Sequence, residues 1–232
     1  MNDKKILDEQ LTYYRARAPE YDEWFMRTGR YDRGAAHRAE WFSEVAMIER
    51  ALEPVVTGKQ VLELACGTGR WTRYLARWAG HLLAVDAAPE ALEINREQVR
   101  ASNVEHREVN IFSWEPDSLF DVVFFSFWLS HIPPQRFAAF WKTVQQALKP
   151  DGNAFFIDSL FEQTSTALNH TALDRSGTAE RKLNDGREFR IVKVFYEPKV
   201  LEKRLKKDGW KGQVCSTGKF FYYGCMSRPK LR

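Results

Sequence analysis

The run Val61-Leu62-Glu63-Leu64-Ala65-Cys66-Gly67-Thr68-Gly69-Arg70-Trp71 holds a short apolar strand, a glycine turn and the first residue of a helical pattern. Val61 to Ala65 read as a buried strand, and Trp71, Leu75 and Trp78 recur at helical spacing. Strand, glycine turn and helix make the unit with which an open α/β sheet binds a nucleotide-like ligand at the carboxyl end of its first strand. Gly67 and Gly69 carry no Cβ, so the turn can be sharp and the backbone can approach a ligand closely. The third glycine of a dinucleotide fingerprint would fall at Thr72. That position argues against a pyrophosphate-binding loop.

Working outward, Leu82 to Val85 form a second apolar strand that ends at Asp86. An acidic residue there is placed to accept hydrogen bonds from two ribose hydroxyls. Ala88 to Arg100 reads as a helix with Pro89 in its first turn, and Val104 to Val109 as a third strand ending at Asn110-Ile111. Phe120 to Phe127 is the most apolar stretch, as a parallel strand buried on both faces would be. It empties into Trp128-Leu129-Ser130-His131-Ile132-Pro133-Pro134. A helix from Arg136 to Leu148, a turn at Lys149-Pro150-Asp151-Gly152 and a fifth strand from Asn153 to Asp158 follow. Upstream, residues 35–53 read as a long helix stopped by Pro54, and Gly29 to Gly34 as a loop. Residues 6–27 read as one aromatic helix, or two broken near Pro19, with Tyr14, Tyr21 and Phe25 on one face.

The chain has 232 residues, 44% of them hydrophobic, which suits one sizeable core. A net charge of +4 makes no case for nucleic acid as a partner. Three cysteines without CxxC spacing point to a reducing compartment, with neither a disulfide framework nor a zinc site. No run is long and apolar enough for a membrane span, and Met1-Asn2-Asp3-Lys4-Lys5 opens no signal core. A soluble, cytoplasmic protein without metal is expected.

Glu63-x-x-x-Gly67-x-Gly69 followed by Val85-Asp86 resembles the S-adenosylmethionine site of class I methyltransferases. The resemblance covers residues 55–160. It implies a Rossmann-like, doubly wound α/β fold with a seven-stranded sheet in a single domain over residues 1–232, and S-adenosylmethionine as the cofactor. Within that domain, residues 1–34 would be a helical lid and 55–160 the cofactor-binding core. Residues 161–196 would be an insertion and hairpin over the substrate site, and 197–232 the final helix and strands. Cofactor contacts are implied at Glu63, Ala65, Gly67, Gly69, Trp71, Asp86, Ala87, Asn110, Ile111 and Phe127, with Tyr14 and Tyr21 reaching in from the lid. Asn110 stands where many members carry aspartate, and its side-chain oxygen can still accept a hydrogen bond from the adenine amine.

Beyond the core, Glu162 to Thr178 reads as a polar, mobile insertion. Asn184-Asp185-Gly186 is a tight-turn signal between Glu180–Leu183 and Arg187–Phe195, which makes a hairpin. Period two puts Phe189, Ile191, Lys193 and Phe195 on one face. A lysine among apolar neighbours needs an anionic partner if it is buried. Either Arg181 and Lys193 snorkel to water or they clamp an acidic group of a substrate. Glu197-Pro198 opens a helix through Lys207 whose cations read as a solvated face, and Trp210–Thr217 and Phe220–Met226 are the last strands.

Tyr13-Tyr14-Arg15-Ala16-Arg17-Ala18, the glycine segment, Phe124-Phe125 with Trp128-Leu129, and Asp185-Gly186-Arg187 with Phe189 to Phe195 are together similar to a phosphonate O-methyltransferase of phosphonate-antibiotic biosynthesis. That likeness implies a small, anionic acceptor bound by Arg181, Lys193 and a tyrosine of the N-terminal segment, for which Tyr31 is the candidate. The implied chemistry is in-line methyl transfer to an oxygen of a phosphonate or carboxylate. An anionic oxygen needs no general base, whereas a neutral hydroxyl would need one, and His131 is the candidate catalytic residue. His131 could equally fix its loop by hydrogen bonds. Small-molecule N- or C-methylation, RNA or DNA methylation and a non-catalytic S-adenosylmethionine-binding protein are the alternatives. Nucleic acid is disfavoured by the lack of a Pro-Cys nucleophile, a Pro-Pro-Tyr motif or an appended basic domain.

Overall fold

The computed structural model describes residues 3–228. The opening Met1-Asn2 and the last four positions of the expected 1–232 span lie outside the described residues. Helices α1 (Asp3–Arg17) and α2 (Tyr21–Met26) are separated by one 3-10 turn at Ala18–Glu20, where Pro19 removes an amide donor. Helix α3 (Ala35–Val56) leads into strand β1 (Gln60–Leu64). Then come α4 (Thr72–Trp78), β2 (His81–Asp86), α5 (Pro89–Gln98), β3 (Val104–Glu108) and β4 (Phe120–Ser126). Helix α6 (Phe137–Ala147) and β5 (Leu148–Ser159) precede a separate hairpin of β6 (Gly177–Lys182) and β7 (Glu188–Lys193). Helix α7 (Pro198–Lys207), β8 (Lys211–Ser216) and β9 (Phe221–Ser227) close the described chain.

Seven strands form one sheet in the order β3-β2-β1-β4-β5-β9-β8. Strands β1 to β5 pair in parallel, while β9 runs antiparallel to both β5 and β8. This is the expected doubly wound α/β architecture. Alternation in β4 feeds two cores: Val123 and Phe125 pack with Trp141 of α6 and Leu201 of α7, and Val122 and Phe124 with Trp41 and Ile48 of α3. Both faces are therefore dry, which explains why β4 is apolar without a break.

Two boundaries differ from expectation, and the insertion makes contacts that no local pattern announced. Helix α3 runs through Pro54 to Val56, because the missing donor falls in the last turn while Leu52 and Val56 are both fully buried. Strand β5 starts at Leu148, ahead of the Lys149–Gly152 segment expected to be a turn, since Leu148 pairs with Phe120 across a register shift. The start of the insertion is tied to the lid: Trp24 Nε1 donates to the Ser165 carbonyl at 2.9 Å, and Arg27 donates to the carbonyls of Ser165 and Thr164 at 3.0 and 2.8 Å.

Glu44 of α3 is buried and ties that helix to the β8–β9 turn. Its carboxylate accepts from the amides of Lys219 at 2.8 Å and Phe220 at 3.0 Å, and from the Thr217 hydroxyl. Glu44→Ala strands these buried donors and is expected to cost about 3 kcal/mol. For a chain of this size that lowers Tm by roughly 6–12 °C, measurable by scanning calorimetry.

Candidate active site

The site opens where the strand order reverses, between β1 and β4. Both chains must turn away from the sheet at the same edge, and they do so through non-glycine residues with left-handed backbone. Ala65 after β1 has φ 54° and Phe127 after β4 has φ 52°. Such conformations cost on the order of 1–3 kcal/mol each and persist only where the surroundings enforce them. Between the two turns lies a cavity of about 300 Å³, floored by Ala65, Gly67, Asp86, Ala87 and Ser126 and roofed by residues of α1 such as Gln10 and Tyr14.

Gly67 (φ 55°) faces open space where a Cβ would stand, so a ligand can lie against its backbone. Asp86 holds this turn in place. Its Oδ2 accepts from the Gly67 amide and its Oδ1 from the Ala88 amide, both at 2.9 Å. Burial raises the Asp86 carboxyl pKa, and these amides pull it back. Each oxygen keeps a lone pair for a further donor. The lid is fastened to the same turn, because Thr68 Oγ1 donates to Asp22 Oδ1 at 2.6 Å.

A second, smaller chamber of about 60 Å³ lies beneath α1 and the hairpin. Four residues, Tyr14, Tyr21, Phe127 and His131, line both spaces and so form the partition between them. In the hairpin, register pairs Arg181 with Phe189 and Gly177 with Lys193, which sets Arg181 and Lys193 on the face that closes the chamber. Lys193 is 8% exposed, donates to Ser130 Oγ at 3.0 Å and lies 3.8 Å from Asp158 Oδ1. Asp158 is fully buried, and its other oxygen accepts from the Ser130 amide at 2.8 Å. The anionic partner that a buried lysine requires is thus internal. Burial nevertheless brings Lys193 down to about 8, against the pull of Asp158 and with help from Arg181 and Arg17.

His131 sits in the partition with both ring nitrogens engaged. Nδ1 lies 2.7 Å from the Val192 carbonyl, which can only accept, so Nδ1 carries the proton. Nε2 is left to accept from the Tyr14 hydroxyl at 2.9 Å. Burial and the nearby cation of Lys193 hold the imidazole well below its usual pKa, so it is neutral. Gln10 braces the same corner, donating to the His131 carbonyl at 3.1 Å and accepting from the Val192 amide at 3.0 Å.

The expected cofactor residues Tyr14, Tyr21, Ala65, Gly67, Asp86, Ala87, Asn110, Ile111 and Phe127 all line the larger cavity. Asn110 is exposed, and its Oδ1 already accepts from the Phe112 amide at 3.1 Å. Three others stand behind the wall. Gly69 packs on α5, where a Cβ would come within 2.8 Å of Asn95 Oδ1. Trp71 is buried against Phe25 and Phe124. Glu63 is buried in β1 and pushed up to about 8 by desolvation. Tyr31, Arg181 and Lys193 line the smaller chamber together. His170 lines it too, and Arg17 and Thr166, which were not among the expected binding residues, join them there. The alternation of Tyr13-Tyr14 with Arg17 in α1 was the available signal, but its aim into this chamber depends on the break at Pro19.

Residues 61–152 match a family described as a methyltransferase domain. DhpI in complex with SAH aligns with TM-score 0.78 and 37% identity, over 98% of each chain. DhpI with SAM and HEP aligns with TM-score 0.79 and 36% identity, over 99% of this chain and 100% of the other. Phosphoethanolamine N-methyltransferase 1 of Triticum aestivum is 31% identical over 159 residues, which are 63% of this chain and 29% of that protein. Ubiquinone biosynthesis O-methyltransferase of Acinetobacter baylyi is 29% identical over 106 residues, 44% of each chain. The chain therefore spans less than half the length of these two curated relatives.

The donor set of the larger cavity fits S-adenosylmethionine: a carboxylate for the ribose, an open glycine backbone, and apolar Ile111 and Phe112 for a flat base. Asp86→Ala removes both the ribose acceptor and the support of the Gly67 turn. Calorimetric titration is expected to show S-adenosylmethionine affinity reduced at least roughly tenfold, the value of one lost charge-assisted hydrogen bond.

Proposed function

The chain belongs to the class I S-adenosylmethionine-dependent methyltransferases, and on that premise we propose that it methylates an oxygen of a small anionic acceptor, a phosphonate or a carboxylate. The supporting observation is the basic chamber that shares a wall with the cofactor cavity. S-adenosylmethionine supplies a methyl group already activated by its sulfonium, so the protein's tasks are placement and exclusion of water. Asp86 would accept from the ribose hydroxyls, and the open Gly67 backbone would lie against the cofactor. The two ligands would meet at the partition that Tyr14, Tyr21, Phe127 and His131 form. Arg181 and Lys193 bind and orient the acceptor's oxygens, Arg181 through its fork of N–H donors.

His131 has no base to offer in this arrangement. Its Nε2 lone pair is taken by Tyr14, and its role is to hold the phenol at the partition. An anionic nucleophile needs no proton removed, and among the described residues both imidazoles lining the chamber already have hydrogen-bond partners at each ring nitrogen, which agrees with such an acceptor. The likeness to a wheat phosphoethanolamine N-methyltransferase favours a second reading, methylation of an amine that carries a phosphate. An ammonium would find no carboxylate lining the chamber among the described residues, so oxygen is preferred.

Lys193→Ala is expected to lower kcat/KM for a phosphonate or carboxylate acceptor roughly 10- to 100-fold, with S-adenosylmethionine affinity retained. An unchanged kcat/KM would remove the acceptor assignment. Because the Lys193 ammonium is charged below about 8 and neutral above it, acceptor KM is expected to rise as pH is taken through that value. His131→Ala should lower kcat modestly without removing a titration near pH 6.5 from the rate profile, since the imidazole is already neutral there. A loss of several orders of magnitude would instead indicate a hydroxyl acceptor.

A further inference from the structure

We propose that Arg17 is the third cation of the acceptor chamber and that the chamber is built for a dianion, an unesterified tetrahedral oxyanion, in preference to any singly charged acceptor. The inference rests on the acceptor reading above and narrows it.

Charge bookkeeping in the chamber supports this. Arg17, Arg181 and Lys193 line it, and no aspartate or glutamate does so among the described residues. Asp158, behind the wall, offsets Lys193 alone. The two histidines add nothing: His131 is held well below its usual pKa by burial, and His170 is brought down to about 4 by burial and Arg181. Two positive charges remain without an internal counter-charge.

Arg17 is the more telling of the two. It is 7% exposed, and among the described residues it forms no salt bridge. Its guanidinium lies over the rings of Tyr21 at 4.8 Å and Tyr13 at 5.5 Å. Its Nη2 reaches the Tyr31 hydroxyl at 3.4 Å, while its buried Nε has no partner. A guanidinium taken out of water without a carboxylate is costly unless a ligand completes it. The ring contacts fix its plane and leave N–H edges free, the arrangement in which arginine binds planar or tetrahedral oxyanions. Arg181 lines the same chamber and is half-buried, with the Glu180 carbonyl at 3.1 Å as its hydrogen-bond acceptor.

The chemistry gives the charge count a consequence. An oxygen lone pair of the dianion forms the new O–C bond as the S–C bond breaks, its electron pair passing to sulfur. No proton moves, and the acceptor leaves as a singly charged methyl ester. One cation of the chamber is then unmatched, so the product binds less tightly than the substrate and a second methylation is disfavoured.

The probes are sulfate, a dianion at all working pH values, and monomethyl sulfate, its singly charged ester. Their affinities are measured by calorimetry with S-adenosylhomocysteine present. Sulfate is expected to bind roughly tenfold or more tightly than monomethyl sulfate. Arg17→Gln should weaken sulfate more than monomethyl sulfate and bring the preference below about threefold, while Arg17→Lys, which keeps the charge, retains most of it. Titration of S-adenosylmethionine into each variant reports that the fold is intact. Equal affinity of the wild type for the two probes would overturn the inference, as would Arg17→Gln weakening both alike. Methyl transfer to a carboxylate together with equal affinities would sink this inference and leave the acceptor reading standing. A preserved sulfate preference with no oxyanion methylated would support the dianion site and sink the acceptor reading.

Discussion

Strand β1 is paired on both sides, with β2 and with β4, and the chains leaving β1 and β4 have to depart at the same edge. In a parallel sheet this edge collects every carboxyl end, so it is the one place where loops can be chosen for chemistry rather than for pairing. The left-handed turns at Ala65 and Phe127 are the local cost of that departure. They hold the floor of the cofactor cavity apart while two dry cores keep the strands in register. Asp86, one strand over, then needs only two backbone amides to lock the glycine turn under the cavity.

What distinguishes this chain from a bare cofactor-binding sheet is the cover. Helix α1 joins the hairpin through Glu9 and Gln10, which accept from the amides of Arg190 at 2.7 Å and Val192 at 3.0 Å. Arg30 bridges from the lid to the Lys182 carbonyl and to Glu20 at 2.6 Å, and Glu20 accepts from the Asn184 amide at 2.8 Å. Lid and hairpin are thus one structure, and three of the cations they carry, Arg17, Arg181 and Lys193, line the chamber beneath it. The rings of Tyr13 and Tyr21 cover the Arg17 guanidinium, which with Lys193 is buried, and a cation removed from water is more demanding of an anion than one at a surface. The larger cavity and the smaller chamber share Tyr14 and His131, so the same contact that shapes one shapes the other.

Much of the sheet was legible from one-dimensional pattern. Val61 to Gly69, Leu82 to Asp86 and Phe120 to Phe127 carry burial, turn and terminal charge in consecutive residues, and these features survive folding unchanged. The errors arose where a local signal met a tertiary one. Pro54 ends most helices, yet burial of Leu52 and Val56 carries α3 past it. Gly69 and Trp71 sit in the glycine segment, but the turn sends one against α5 and the other into the core. Period two in the hairpin set Phe189, Ile191 and Lys193 on one face, and strand register added Arg181. The placement of Arg17 in the chamber and of Asp158 beside Lys193 was not legible. Arg17 faces the chamber only because α1 ends at the break before Tyr21, and Asp158 meets Lys193 across a sequence gap that no short-range pattern spans.

The central claim, oxygen as the atom methylated, is tested most directly by following the methyl group itself. S-adenosylmethionine labelled with carbon-13 in the methyl group would be incubated with the protein and a mixture of small phosphonates, carboxylates, amines and phenols, and the products examined by carbon and phosphorus NMR. The account predicts label in a methyl ester of an oxyanion, seen for a phosphonate as coupling between the methyl carbon and phosphorus. Label on nitrogen, on carbon or on a phenol, with the oxyanions untouched, would contradict it.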